Sequence, residues 1–266
     1  MPVLDWLRPR PPVPAPATRE SRLQPFELGG RTVLVSCVRD RRCKRLRLVV
    51  DERGPRLTRP WRTPLATAER FVHDNAAWLL GQIDALAGER PATASVLAIG
   101  QTLQLPLHGR EWPVEWVAAR ATRVLAEDGK LRFEYGPRAG QAALARALGE
   151  FYEARARAQV GPQLAYWLPG LPRAPRRFVF KQMSSQWGSL APDGTVNLDL
   201  SLVLAPPAAL EYVLVHELCH LIQANHSPAF WAEVASRLPA WPQQRQWLAA
   251  HGRPLKYRLR QLLAVA

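Results

Sequence analysis

Cysteine is scarce in this sequence, with only Cys37, Cys43 and Cys219 among 266 residues, and no two of them form a C-x-x-C pair. An odd and dispersed set of thiols argues against a disulfide framework and against a cysteine-ligated zinc finger, and it is typical of a reducing compartment. Long apolar runs are missing as well, because no stretch approaches the ~18 uninterrupted apolar residues of a membrane helix. Prolines near the N-terminus interrupt any apolar region of a secretion signal. We therefore predict a cytoplasmic protein without a membrane-spanning segment.

Acidic residues are also few relative to basic ones. The chain has 36 Lys and Arg against 22 Asp and Glu, a net charge of +14, and 32 of the basic residues are Arg. Half of this excess lies in a basic segment, residues 39–62, where ten basic residues stand against three acidic ones. Such clustering is typical of a surface that contacts the phosphates of a nucleic acid or a nucleotide. An Arg-rich composition is also typical of a GC-rich genome, so a solvated basic face is the alternative interpretation.

The pattern along the chain predicts an α+β protein. Residues 1–24 are rich in Pro and Arg, which predicts a disordered arm. Residues 25–140 form a basic, β-rich part with one helix, and residues 141–266 form a second domain. The predicted elements are strands at 32–35 and 45–50, a helix with Thr67 as N-cap, an antiparallel meander over 96–135 with turns at His108-Gly109 and Asp128-Gly129, a long helix from Gln141 to Trp167, a hairpin over 178–200, a helix over 208–224 and another that begins at Pro228.

The chemistry is concentrated in the run His216-Glu217-Leu218-Cys219-His220, an H-E-x-x-H motif on a predicted helix. Residues four apart lie about one helical turn apart, so both imidazoles leave the same face and can bind one Zn²⁺ at about 2.0–2.1 Å. Glu217 projects beside them and can act as general base toward a water molecule that the metal activates. Cys219 is predicted to be a small buried apolar residue and not a ligand.

A catalytic zinc ion requires a third protein ligand. His226 follows the predicted helix closely, and Asn225 tolerates the left-handed conformation that would let the chain turn back toward the metal. Glu233, on the next predicted helix, is the rival ligand. We favour His226 because of its ligand type and its proximity along the chain.

Several spaced motifs agree in order with those of one family, which adds to this interpretation. They are the run Ser184-Ser185-Gln186-Trp187-Gly188-Ser189, Asn197-Leu198, Leu202-Val203-Leu204-Ala205-Pro206-Pro207, Tyr212-Val213, His216 to His220, Asn225-His226-Ser227 and Phe230-Trp231. The sequence resembles the YgjP-like metal-dependent hydrolases, relatives of the SprT-like and WLM zinc metallopeptidases, over most of residues 30–245. The family commonly has Arg where this chain has Gln186, and Cys often stands where it has Leu190.

The resemblance implies a zincin-like metallopeptidase domain over residues 141–266, with a helical unit packed on a short antiparallel sheet. It also implies that His216, His220 and His226 bind zinc, that Glu217 is the catalytic glutamate and that the substrate is a peptide or protein. That substrate could add as a strand to the edge of the 178–200 hairpin. Trp187 is expected mainly to pack, and the Phe230-Trp231 pair to support the helix that holds His226. The candidates for an oxyanion-stabilising group are Tyr212, His251 and Tyr257.

Two alternative functions use the basic segment. A metal-dependent nucleoside triphosphate pyrophosphohydrolase would bind its triphosphate there. A nucleic-acid-associated protease of the SprT-like type would use the same segment to bind DNA. The sequence does not indicate the oligomeric state.

Overall fold

The computed structural model describes residues 19–51, 54–88, 97–184 and 186–265, and it has an α+β fold with eleven strands and six α-helices in that part of the chain. The chain divides into two compact units, Met1–Gly88 and Glu89–Ala266. The predicted boundary at residue 140 falls inside the second unit. The reason is that the sheet before this point and the helix after it share one core, in which Leu105 and Phe133 pack with Leu148.

The first unit is a four-stranded sheet followed by two helices. Its strands are β1 (Arg19–Leu28), β2 (Arg31–Asp40), β3 (Arg47–Asp51) and β4 (Gly54–Pro60), in the order β1-β2-β4-β3. Strands β2 and β4 run parallel, and the other two pairs are antiparallel. The helices are α1 (Leu65–Asp74) and α2 (Ala76–Gly88). A small core forms around Phe26, Val35, Leu57, Val72 and Leu79.

Two predictions for the first unit are wrong in part. The predicted arm over residues 1–24 overlaps β1, which begins at Arg19 because it pairs along its whole length with β2; residues 1–18 lie outside the described part. The predicted single helix is two helices, separated at Asn75, whose amide donates to the Phe71 carbonyl at 2.8 Å. Helix α1 begins after Pro64 and not after Thr67.

The second unit opens with a four-stranded sheet. It contains β5 (Gln104–Leu107), β6 (Arg110–Ala118), β7 (Arg123–Glu127) and β8 (Lys130–Tyr135), in the order β5-β6-β8-β7. The predicted turns are confirmed, since His108 and Gly109, and also Asp128 and Gly129, have the positive φ angles of tight hairpin turns. The antiparallel meander is wrong in one pairing. Strand β7 lies on the far side of β8 and not between β6 and β8. Strand β6 therefore pairs directly with β8, and these two strands run parallel.

The helices and a second sheet complete this unit. Helix α3 spans Gln141–Trp167 as predicted, and β9 (Arg177–Lys181), β10 (Gly188–Leu190) and β11 (Thr195–Asp199) form a sheet in the order β10-β11-β9. The sheet is mixed, so the predicted hairpin and antiparallel sheet are wrong: β10 comes between β9 and β11 along the chain, and those two strands pair in parallel. After a 3-10 helix (Leu200–Leu204) follow α4 (Pro207–Cys219), α5 (Pro228–Arg237) and α6 (Trp241–Leu262).

Helix α4 lies at the centre of the second unit. Val213, Leu214, Val215 and Leu218 are all buried, which agrees with a helix that is apolar on nearly every side. Within the described part of the chain, no helix combines the length and the apolar character needed to cross a membrane.

Candidate metal centre

Helix α4 and the loop after it bring three histidines together. His216 and His220 lie one turn apart on α4, and one ring nitrogen from each of them lies within 4.8 Å of a ring nitrogen of His226. The Nε2 atoms of His216 and His226 are 3.0 Å apart. A tetrahedral zinc ion with bonds of about 2.0–2.1 Å separates its ligand atoms by about 3.3 Å, so these nitrogens are spaced for a shared ion.

The protonation of the rings also suits metal binding. The Nδ1 atom of His220 lies 3.1 Å from the Gln223 carbonyl oxygen, to which it can donate, and this leaves Nε2 free to bind an ion. Burial, together with the smaller effects of the neighbouring His220 and His226 rings, lowers the pKa of His216 to about 3. Nδ1 of His216 is buried without a hydrogen-bond partner among the described residues. Neutral imidazoles of this kind form a donor set that fits zinc.

The loop after α4 reverses direction, but not through the left-handed conformation predicted for Asn225. Helix α4 ends at Cys219, earlier than the predicted residue 224, and hydrogen-bonded turns follow it. Asn225 does not adopt the left-handed conformation, since the non-glycine residues with positive φ in the described chain are His108 and Asp128. Instead, the Asn225 carboxamide oxygen accepts the Ser227 N–H at 3.3 Å, and the Ser227 hydroxyl accepts the N–H of Phe230 at 3.4 Å and caps α5. The turn into α5 thus places His226 beside α4.

Phe230 forms an apolar floor beneath all three histidines. It is fully buried, and its ring centroid lies 4.8 Å from that of His216, 4.5 Å from that of His220 and 4.8 Å from that of His226. The Trp231 ring lies 5.8 Å from His226. The expectation that this pair supports a helix holding His226 is wrong in one respect, because His226 lies in the loop before α5.

Glu217 is buried between α4 and the edge strand β10, with 4% of its surface exposed. Burial raises its pKa to about 8, and a hydrogen bond from the Leu190 backbone N–H opposes this rise. The side chain packs directly on Gly188, where a Cβ atom would lie 2.5 Å from Oε1. The sequence did not predict that Gly188 contacts Glu217, although the position of Gly188 beside Trp187 in the family motif was a signal that could have indicated a contact there.

A cleft of about 610 Å³ opens beside these groups. Strand β10 and the turn that follows it, residues 188–192, form one side, and α4 with its histidines forms the other. Trp187 borders the cleft and is half-buried, so it both packs and faces the open space. Gln186, which stands where the family commonly has Arg, is exposed to the same cleft.

A buried ion pair holds the loop that leads into β10. The Lys256 ammonium on α6 donates to Asp199 Oδ2 at 2.8 Å and to the carbonyl oxygens of Met183 and Gln186 at 3.0 and 2.8 Å. Asp199 also accepts the N–H groups of Met183 and Ser201 at 2.7 and 2.9 Å. Both charged side chains are nearly inaccessible to solvent, at 8% and 2% exposure. Sequence reasoning missed this pair, since its members are far apart along the chain.

The other residues singled out in the sequence lie in varied settings. Glu233 forms an ion pair with Arg237 and is not part of the histidine cluster. Cys219 is fully buried, as expected. Of the three residues considered as oxyanion stabilisers, Tyr212 lines the cleft, whereas His251 stacks on Trp247 and Tyr257 does not line either cavity beside the histidines.

The basic segment belongs to the first unit and part of its charge is used internally. The guanidinium groups of Arg39 and Arg41 lie 4.2 and 4.5 Å from the centroid of the Trp61 ring. Arg39 also donates to the Trp61 carbonyl at 2.7 Å, and Arg59 donates to the Thr63 carbonyl. These contacts order the end of the sheet and do not by themselves identify a ligand.

Comparison with known proteins agrees with the three histidines and the glutamate that line the cleft. The sequence model of the YgjP-like family, described as a metallopeptidase domain, matches residues 44–251. No curated protein matches the chain significantly. Among solved structures, the crystal structure of the metallopeptidase zymogen of Pyrococcus abyssi abylysin shares 21% identity over 40% of this chain and 96% of that chain, with a TM-score of 0.28.

Proposed function

Because the chain belongs to the YgjP-like family of metallopeptidase domains, we propose that it is a zinc-dependent peptidase with Glu217 as general base. The zinc ligands in this proposal are His216, His220 and His226. The observation that supports it is the convergence of three ring nitrogens within 4.8 Å beside a buried glutamate. We place the activity in a reducing, cytoplasmic compartment because the three cysteines are free.

Each residue of the centre has a defined task in this mechanism. Bound by the histidines, zinc would supply Lewis acidity that acidifies water and polarises a carbonyl group. Glu217 takes the proton of the attacking water on its carboxylate and later delivers it to the leaving amine. Burial raises the pKa of this carboxyl group, which strengthens the carboxylate as a proton acceptor. Gly188 and the Leu190 N–H hold this carboxylate in place.

The edge strand β10 supports a peptide as the substrate. An edge strand presents backbone N–H and C=O groups to which an extended peptide can pair as an added strand. Strand β10 pairs with β11 on one side only, and its residues line the cleft beside the histidines. A peptide that pairs with β10 would therefore run past Glu217.

The test is the substitution Glu217→Gln in the zinc-loaded protein. Gln is nearly isosteric and cannot accept the proton, so turnover of an unfolded protein substrate should fall by about 100-fold or more, as expected for the loss of a general base. Zinc content and thermal stability should not change. The matched control is Glu233→Gln, which removes a carboxylate outside the cluster and should leave both zinc content and turnover unchanged.

Two outcomes would contradict this proposal. Turnover by Glu217→Gln within about tenfold of the wild-type value would exclude Glu217 as the base. Hydrolysis of a nucleoside triphosphate without hydrolysis of unfolded protein would favour the pyrophosphohydrolase instead. Retention of DNA with a steep dependence on salt would add the nucleic-acid-associated role to the peptidase.

A further inference from the structure

A second cavity of about 600 Å³ adjoins the metal centre. It shares Trp187, Tyr212, His216 and His226 with the first cleft, so the two cavities meet at the candidate zinc ligands. Its remaining lining comes from α5 and α6. A substrate that reaches the histidines through the first cleft would direct its next residues into this second cavity.

Stacked aromatic rings hold an arginine in the second cavity. The rings of Trp231 and Trp241 stack with centroids 4.5 Å apart, and Tyr212 stacks on Trp241 at 6.5 Å. The guanidinium carbon of Arg245 lies 5.1 Å from the Trp231 centroid and 5.9 Å from the Trp241 centroid. Two cation–π contacts therefore restrict the position of this side chain next to the histidines.

The positive charge of Arg245 faces a cavity that no carboxylate of the described residues lines. Among the described residues, Arg245 forms no ion pair, and no carboxylate lines the second cavity. Other exposed arginines of the second unit have an acidic partner, as Arg123 has in Glu134, Arg157 in Glu153 and Arg176 in Asp193. A guanidinium group presents a rigid fork of N–H donors that matches a carboxylate, so the ligand it favours is an anionic group of this shape.

We propose that Arg245 is a specificity-determining residue that binds a carboxylate of the substrate close to the scissile bond. The inference rests on the proposed peptidase function and names its substrate class: peptides that carry a negative charge beside the cleaved bond. The carboxylate has two sources, an Asp or Glu side chain or the C-terminal carboxylate of the peptide. The aromatic walls accommodate the apolar part of the same residue.

The experiment compares cleavage of quenched fluorogenic peptides by the zinc-loaded protein. In the first arm, peptides with Glu or Asp on either side of the scissile bond are compared with the same peptides that carry Gln or Asn there. In the second arm, a peptide with a free C-terminus is compared with its C-terminal amide. The proposal expects kcat/KM to be roughly tenfold or more higher for the charged member in one of the two arms, as one charge-assisted hydrogen bond can supply. The arm that shows the preference identifies the source of the carboxylate.

Three variants separate binding of the carboxylate from general damage. Arg245→Gln should reduce the preference to about twofold or less while neutral peptides are cleaved at nearly the wild-type rate, because only the charge contact is lost. Arg245→Lys should restore part of the preference, since it keeps the charge without the fork. Arg146→Gln, on the exposed surface of α3, is the matched control and should not change the preference.

A binding measurement makes the two proposals separable. Tryptophan fluorescence of the zinc-loaded Glu217→Gln variant, titrated with the charged and the neutral peptide, reports on the stacked rings without turnover. Cleavage of peptides with no preference for charge, or equal binding of both peptides, would overturn the role of Arg245 and leave the peptidase intact. Absence of all peptide cleavage by the wild type would overturn the peptidase. In that case, tighter binding of the charged peptide that Arg245→Gln abolishes would still support the carboxylate site.

Discussion

The substitution Lys256→Met should destabilise the second unit more than the loss of a surface ion pair would. Lys256 and Asp199 form a buried pair at 2.8 Å, and the ammonium also donates to two loop carbonyls. Burial lowers the pKa of Lys256, and the Asp199 carboxylate opposes that shift. Met fills a similar volume, so the substitution removes the charge and the three donors without opening a large cavity.

The expected size of the effect follows from what remains after the substitution. Removal of one partner of a buried ion pair costs about 3–5 kcal/mol, because the other charge stays buried without compensation. Asp199 keeps the N–H groups of Met183 and Ser201 and the Ser201 hydroxyl, so we expect the lower end, about 3 kcal/mol. In domains of 150–250 residues each kcal/mol lowers Tm by about 2–4 °C, so the Tm of this unit should fall by about 6–12 °C.

Thermal unfolding followed by circular dichroism tests this estimate, with Lys130→Met as the matched control. Lys130 forms an ion pair with Glu115 at 2.6 Å on the exposed surface, so the same substitution there should barely change Tm. The double variant Lys256→Met/Asp199→Asn removes the uncompensated charge and should recover part of the lost Tm. A Tm for Lys256→Met equal to that of Lys130→Met would refute the reasoning, as would a double variant less stable than both single variants.

Further predictions concern the metal ligands, the Glu217 carboxylate and the basic segment. Zinc bound after purification, measured by mass spectrometry, should be lost in each single alanine variant of His216, His220 and His226; full occupancy in His226→Ala would point to Glu233. Gly188→Ala should reduce turnover by about 100-fold with zinc retained, because the new Cβ would displace the Glu217 carboxylate, whereas Gly161→Ala, which meets open space, should not. We expect the basic segment to be a solvated face, in which Arg41 already stacks on Trp61, so binding of single-stranded DNA at about 50–300 mM salt should be unchanged when Gln replaces Arg41, Arg42, Lys44 and Arg45. A flatter salt dependence would instead reveal phosphate contacts.

Local features of the fold were predictable because their signals lie within a few residues. The bounds of α3, the two tight turns and the start of α5 at Pro228 all follow from propensity and turn chemistry. Strand pairing was not predictable in the same way, because alternation indicates which face is buried but not which strand is the neighbour. Strand β1 illustrates a further limit. Its first five residues are exposed on both faces, so they show no alternation, and only pairing with β2 reveals the strand.

In the candidate site, too, contacts between residues close in sequence were predictable and contacts between distant residues were not. The motif from His216 to His220 was readable because one helical turn brings its ends together. The chain reversal that places His226 was predicted. The side-chain cap at Ser227 that produces it was not, because the sequence does not show which N–H the Ser227 hydroxyl accepts. Asp199 and Lys256 are separated by 57 positions, and neither residue type nor spacing predicts that they meet.

One short stretch before and within β10 connects these distant groups. The Trp187 ring lies 4.3 Å from the Lys256 ammonium, and the Trp187 carbonyl accepts the Asp199 N–H at 2.7 Å. The next residue, Gly188, contacts the Glu217 carboxylate, and the Leu190 N–H donates to it. The buried ion pair and Glu217 therefore contact opposite ends of the same four residues, 187–190. Because a closely packed interior transmits small displacements, a change at Lys256 should move the backbone that holds Glu217, although Lys256 does not line either cavity beside the histidines.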